Sequence, residues 1–449
     1  MKVLFVSLGC DKNLVDSERM LGLLNEKGFE LTNEETQAEV IVINTCCFIH
    51  DAREESITTI LEMAAYKQKG TLKALIVTGC LAERYREEII KEIPEVDAIV
   101  GSTAWEDIAA VIGEALEGGK AQSFRDVNYL SPVYPKRVNT TGGYYSYLKI
   151  AEGCSKHCTY CIIPRIRGDY RSAGMEELMA EAEYLAKGGV KELVLVAQET
   201  TVYGTDLYGR KALPELLDRL CRIEGISWIR LLYCYPEEIT AELIDVIKRE
   251  PKICHYLDIP IQHASDAILK RMGRRTTRHE LQELIGLLRK EIPDIVLRTS
   301  LITGFPGETQ EDHEILKDFV RRMRFDRLGV FPYSREEGTP ADKMKPQITK
   351  KVKLARRREL MQIQQEIAFA AAKEKIGKVY DVLIEGELSE EEVYVGRTYM
   401  DAPGVDGYLF LKAGPGLLSG DMVKAAVTGA KDYDLIGELY QEEQEGRTI

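Results

Sequence analysis

A chain of 449 residues, 45% hydrophobic and 30% charged, is about three domain lengths and can bury sizeable cores, which excludes a disordered or fibrous protein. The net charge of −13 argues against generic nucleic-acid binding, and it is unevenly spread: residues 1–139 carry 15 basic and 23 acidic side chains, residues 140–375 carry 39 and 35, and residues 376–449 carry 6 and 15. No apolar run reaches the ~20 residues of a membrane span, and Asp11-Lys12 closes the opening apolar run too early for a signal peptide, so a soluble cytoplasmic protein with no membrane partner is expected.

Strand and helix patterns alternate through residues 1–120. Val3–Leu8, Val40–Asn44, Ala74–Thr78 and Ile99–Val100 read as strands, followed by amphipathic stretches at 17–27, 52–67, 83–92 and 105–117. This predicts an open parallel α/β domain. Residues 121–143, with Pro132, Pro135 and Gly142-Gly143, read as a linker.

From 144 to 375 the alternation restarts, with strands expected at 145–151, 193–197, 228–233, 256–261, 296–303 and 328–332 and helices between them. Six β/α units suit a barrel short of the full eight. A long polar helix is expected over 350–375. Its Arg356-Arg357-Arg358 run reads as a solvated face, or as one turned to a partner or an acidic domain. Residues 376–449 hold short glycine-broken strands at 380–385, 393–398, 408–412, 422–429 and 435–439, the pattern of a small antiparallel β-barrel.

Ten cysteines in a reducing compartment point away from disulfides. Cys154-x₃-Cys158-x₂-Cys161 follows the first strand of the second domain, at the edge where such sheets place chemistry. Three thiolates at this spacing can hold three irons of a [4Fe–4S] cluster, leaving one iron open to chelate S-adenosylmethionine. The alternative is a zinc knuckle, which wants four ligands; His157 inside the loop is the only nearby candidate for the fourth.

Cys10, Cys46 and Cys80 each follow a predicted parallel strand, so the fold should bring them to one edge. Three converging thiolates suit a second [4Fe–4S] cluster; buried structural cysteines are the alternative. Cys47 should point away from that edge. Cys221 and Cys254 read as core, and Cys234 is ambiguous.

The two cysteine sets and the order of the domains resemble the radical-SAM methylthiotransferases over essentially the whole chain. Ser7-Leu8-Gly9-Cys10-Asp11-Lys12-Asn13-Leu14-Val15-Asp16-Ser17-Glu18 and Tyr256-Leu257-Asp258-Ile259-Pro260-Ile261-Gln262-His263 resemble the branch acting on a ribosomal protein rather than the tRNA branch. Asp11 departs from the proline usual in that opening.

The resemblance implies a TRAM-like C-terminal domain and β-methylthiolation of an aspartate in small-subunit ribosomal protein S12, free or in the subunit. It also implies two [4Fe–4S] clusters, S-adenosylmethionine, an electron donor, and contact with nucleic acid only through the ribosome. S-adenosylmethionine should lie across the strand ends, with Gln198 and Glu199 facing its ammonium, Gly304 allowing close approach and Phe331 and Tyr333 bordering the adenine. The alternatives are a solvated polar turn for Gln198 and Glu199, a plain strand–helix connection for Gly304, and packing alone for Phe331 and Tyr333.

Tyr160 either shields the cluster or is an ordinary loop aromatic. Arg165, Arg167 and Arg171 either bind a carboxylate or form a solvated loop, and His263 reads as a hydrogen-bonded strand-end histidine. The alternatives for function are a tRNA adenosine methylthiotransferase and a non-catalytic iron–sulfur RNA-binding factor.

Overall fold

Runs such as Val40-Ile41-Val42-Ile43 and Ala74-Leu75-Ile76-Val77 can be buried on both faces only in a parallel sheet covered by helices on each side. In the computed structural model, which describes all residues except 135, 389–392, 413, 415 and 441–449, these runs form the centre of the first sheet. It contains β1 (Lys2–Ser7), β2 (Glu30–Thr32), β3 (Val40–Thr45), β4 (Ala74–Gly79), β5 (Ala98–Val100) and β6 (Ala121–Ser123). All pairs are parallel, in the order β2-β1-β3-β4-β5-β6. One face packs Val40, Val42 and Ile76 on Met20 and Trp105; the other packs Ile41, Ile43 and Val77 on Ile60 and Leu81. The segment expected to be a linker therefore begins with a strand of this sheet. Ala121-Gln122-Ser123 is too short for its period to register in the sequence.

The second sheet starts at β7 (Tyr145–Lys149). A two-residue pair, β8 (Ala151–Glu152) with β9 (Arg171–Ser172), brackets the cysteine loop. The sheet continues through β10 (Glu192–Val196), β11 (Trp228–Leu231), β12 (Ile253–Asp258), β13 (Val296–Thr303) and β14 (Arg327–Pro332), in sequential parallel order. Helices such as Met175–Lys187, Arg278–Glu291 and Gln310–Met323 cover one face. The fourth barrel strand, expected at 256–261, lies three residues earlier and stops short of Pro260, which has no N–H for a ladder.

The helix Lys350–Lys373 packs beside β14 and the helix Gln310–Met323. Its arginine run is only partly solvated. Arg356 is buried, 3.0 Å from Glu308 Oε1, and donates to the Glu308 carbonyl at 3.1 Å, while Arg358 is exposed. Arg356 serves the barrel's own packing because the helix must satisfy the turn after β13.

The strands β15 (Val379–Leu388), β16 (Val393–Arg397), β17 (Leu409–Lys412), β18 (Met422–Lys431) and β19 (Asp434–Leu439) close into a barrel, antiparallel except for the β17–β19 pair. This barrel sits on the helix-free face of the second sheet. Val194, Val196, Trp228, Tyr256 and Val296 share a core with Val382, Tyr394, Leu409 and Leu411. Buried charges complete the seam. Glu192 accepts from Arg230 Nε at 2.6 Å and from Arg397 Nη2 at 2.7 Å. Arg327 pairs with Asp401, and the Tyr256 hydroxyl donates to Asp406 at 2.7 Å. Among the described residues no helix is long and apolar enough to cross a membrane.

Candidate active site

β1, β3 and β4 are neighbours, so the residues after them meet at one edge. Cys10 caps the helix Asp11–Glu26, Cys46 follows β3 and Cys80 opens the helix Cys80–Arg84. The approach is close enough to need glycine. A Cβ on Gly9 would lie 2.6 Å from Cys46 Cβ and 2.9 Å from its sulfur, and one on Gly79 would lie 2.6 Å from the Thr45 carbonyl. Both residues adopt φ of +89°, which a side chain would also strain.

Asn13 locks the edge by donating to the carbonyls of Leu8 (3.1 Å) and Thr45 (2.9 Å). Burial, with Cys80 and Cys10 adding, pushes the Cys46 thiol up to about 12. Burial also raises Cys80, against the lowering influence of Arg167. Such thiols stay protonated at neutral pH until a metal displaces the proton. Three soft sulfur donors fit an iron–sulfur cluster better than a four-ligand zinc site. Cys47 turns away, donating its S–H to the Cys80 carbonyl at 3.1 Å.

The loop from Cys154 to Cys161 is pinned from outside. The Cys154 N–H donates to the Gly168 carbonyl (3.1 Å), the Thr159 N–H to the Met272 carbonyl (2.9 Å), and the Thr159 hydroxyl to the Arg271 carbonyl (2.8 Å). Burial lifts the Cys154 thiol to about 11 and raises Cys161. Tyr160 lies edge-on to Phe305 at 6.4 Å, and Phe305 meets Tyr333 at 5.3 Å. His157 is exposed, with φ of +52°. The structure adds two residues that no sequence pattern marked. The Tyr235 hydroxyl lies 3.6 Å from Cys158 Sγ, and Arg274 stacks 4.2 Å from the Tyr235 ring, with Nε and Nη1 lacking partners among the described residues.

A cavity of about 330 Å³ opens beside Cys154, lined by Lys156, Tyr170, Glu199, Asp206 and Arg275. Glu199 is 1% exposed, its Oε2 accepts no hydrogen bond, and burial raises its carboxyl to about 7 although Lys156 opposes this. Gln198 instead donates to Glu152 Oε1 at 2.8 Å. Phe331 is 52% exposed on the free edge strand β14. Gly304 adopts φ of +68°. The side chain of Lys353 occupies the space a Cβ would take, so this glycine admits a helix.

The arginines after the loop divide. Arg171 Nη2 donates to the Arg167 carbonyl at 3.0 Å. Arg167, 2% exposed, reaches out of its own domain, so it is neither solvated nor aimed at the cavity beside Cys154. Its Nε donates to Cys80 Sγ at 3.4 Å, its Nη1 to Asp16 at 2.8 Å and Glu152 at 3.2 Å, and its Nη2 to Asn13. Lys149 joins the network through Asp16 and, at 2.8 Å, Glu152. One guanidinium thus touches a cysteine of the first set and the carboxylate two residues before Cys154. Sequence spacing drew attention to Arg167 but carried no sign of partners more than 150 residues away.

His263 is buried, its Nδ1 accepting from the Ser265 N–H at 2.9 Å. Burial pushes its pKa down to about 3, against the raising influence of Asp312. An unfolded histidine binds a proton below about 6.5 that this one refuses. Its contribution to stability is therefore full above pH 6.5 and is lost as pH falls toward 3, by at most about 1.4 kcal/mol per pH unit. Urea midpoints at pH 7.5 and 5.5 should separate less in His263→Gln than in the parent. Equal separations would show that His263 does not set the acid limb.

Residues 2–101 match the family model "Uncharacterized protein family UPF0004", residues 148–320 the radical SAM superfamily and residues 376–439 the TRAM domain. The chain is 69% identical over 437 residues to the "Ribosomal protein uS12 methylthiotransferase RimO" of Lachnoclostridium phytofermentans, covering 97% of this chain and 99% of that protein. It is 54% identical to the one from Acetivibrio thermocellus (98% and 99% covered) and 50% identical to that from Clostridioides difficile (98% and 99%). Among solved structures it resembles the radical S-adenosylmethionine methyltransferase TsrM of Kitasatospora setae. That match has a TM-score of 0.55 at 14% identity, covers 76% of this chain and 74% of that one, and is a likeness of fold.

Proposed function

The chain belongs to the family of ribosomal protein uS12 methylthiotransferases, and from that membership we infer the details of its reaction. It is a radical-SAM enzyme that uses S-adenosylmethionine and a [4Fe–4S] cluster and methylthiolates uS12. We propose that the acceptor is the β-carbon of a uS12 aspartate. We further propose two clusters, one on Cys154, Cys158 and Cys161 and the other on Cys10, Cys46 and Cys80. The observation that carries the two-centre reading is Arg167, whose guanidinium ties Cys80 to Glu152 beside the other set.

When bound, the groups would supply reductive cleavage of S-adenosylmethionine at the barrel loop and sulfur at the N-terminal trio, chemistry that a carbon without an acidic proton or leaving group requires. Within this reading Glu199 Oε2, which accepts no hydrogen bond and lies 3.6 Å from Lys156 Nζ, accepts from the ammonium of S-adenosylmethionine in the cavity beside Cys154. Gln198 acts one step away, orienting Glu152. Tyr160, Phe305 and Tyr333 exclude water from one side, and Phe331 borders the adenine.

An external electron donor is required, and uS12 is met free or in the small subunit, with nucleic acid contacted only through the ribosome. The net −9 of residues 376–449 supports a basic protein partner over an RNA backbone. Glu387 of the acidic cluster is exposed, while Glu390, Glu391 and Glu392 lie outside the described residues. Relatives named for uS12 at 50–69% identity do not favour the tRNA or the non-catalytic alternative.

Mass spectrometry of uS12 and of tRNA, from cells with and without this chain, tests the assignment. A methylthio mass increment on uS12 that depends on the chain is expected. An increment on tRNA adenosine instead would move the chain to the tRNA branch. Reconstituted enzyme should hold about eight irons per chain, four for each cluster.

A further inference from the structure

Lys12 is a buried cation that holds neither cysteine set. It lies two residues after Cys10, in the first turn of the helix Asp11–Glu26, and is 6% exposed. Its Nζ stands 3.4 Å from the centroid of the Tyr233 ring and 2.9 Å from Asp11 Oδ1. The Tyr233 hydroxyl donates to the same Asp11 oxygen at 3.1 Å. Among the described residues Asp11 is the one carboxylate within ion-pair distance of Lys12. An ammonium has three N–H donors, so this pairing leaves capacity on the cation. Asp11 Oδ2 is buried and accepts no hydrogen bond. The pair therefore has an unmet donor and an unmet acceptor side by side, next to Cys10, which is exposed.

Its position follows from the end of β11. Tyr233 reaches Lys12, and Tyr235, two residues on, brings its hydroxyl to 3.6 Å from Cys158 Sγ. The ammonium thus lies two residues from a cysteine assigned to one cluster, and its ring partner two residues from the tyrosine that meets a cysteine assigned to the other. A carbon that both clusters must reach fits this junction. In an aspartate that carbon is bonded directly to the carboxylate, so the carboxylate arrives wherever the β-carbon does.

We propose that Lys12 binds the carboxylate of the substrate aspartate, and that Asp11 Oδ2 accepts a peptide N–H of the same segment. This rests on the reading of uS12 aspartate as acceptor. A charge-assisted bond in a site shielded by an aromatic ring orients the side chain and selects aspartate over asparagine.

Full-length reconstituted enzyme, kept without reductant so that no turnover occurs, is titrated with uS12 and with uS12 whose target aspartate is asparagine. Lys12→Gln should weaken binding of the aspartate form about 10- to 100-fold and leave binding of the asparagine form unchanged. Lys12→Arg should recover most of the loss. Iron content and melting temperature verify folding of each variant. Equal losses for both forms of uS12, or no loss, would overturn the assignment and leave Lys12 a structural partner of Asp11. If the wild-type enzyme under turnover leaves uS12 unmodified, the substrate reading itself falls, and the assignment with it. Product on uS12 together with equal losses sinks only Lys12.

Discussion

Replacing Cys10, Cys46 and Cys80 together with alanine should stop methylthio transfer to uS12 while reductive cleavage of S-adenosylmethionine continues. The converse set, Cys154, Cys158 and Cys161, should stop cleavage itself. The separation follows from the architecture. The two trios lie on different sheets, each fastened by its own contacts: Asn13 and two glycines for the first, the Gly168, Arg271 and Met272 carbonyls for the second. Each alanine triple should lose about half of the iron. Counting 5′-deoxyadenosine beside methylthiolated uS12 in the same reaction reads both halves. Normal product from the first triple variant would remove the N-terminal edge from the chemistry. Loss of all iron from either variant would mean that the trios do not bind separately.

Arg167→Met should have the largest effect of any single change outside the cysteines. Burial alone would raise the Glu152 carboxyl, and Lys149 and Arg167 together hold it well below the usual range. Removing the guanidinium leaves Asp16 and Glu152 buried with Lys149 as their one remaining ion-pair partner among the described residues. Breaking a buried ionic network from one side costs about 3–5 kcal/mol. The first denaturant transition should shift to lower urea, and iron should be lost from the Cys10 side before the Cys154 side. Arg167→Lys should recover only part of this, because an ammonium cannot reproduce the planar fork that meets Cys80, Asp16, Glu152 and Asn13 at once. A parental urea transition and full iron in Arg167→Met would show that the domains are held together elsewhere.

Sequence alone determined what depends on local period and spacing. The 154-158-161 spacing marks a three-thiolate loop because those ligands come from one short segment. Cys10, Cys46 and Cys80 could be grouped because parallel strands all end on one side, so three residues that each follow a strand must share an edge. The alternation of buried runs and amphipathic helices likewise marked both parallel sheets, and the five short strands marked the final barrel. Tertiary structure decided everything that depends on one domain meeting another. The C-terminal barrel sits on the helix-free face of the second sheet through Glu192, Arg230, Arg397 and Asp401, residues that any composition count assigns to the surface. Arg167 left the set of candidate ligand-binding arginines, Gly304 became a seat for Lys353, and Arg356 went into the core for the same reason. A buried charge is tolerated only where its partner arrives from elsewhere in the chain, and residues tens to hundreds of positions apart leave no period by which that meeting could be read.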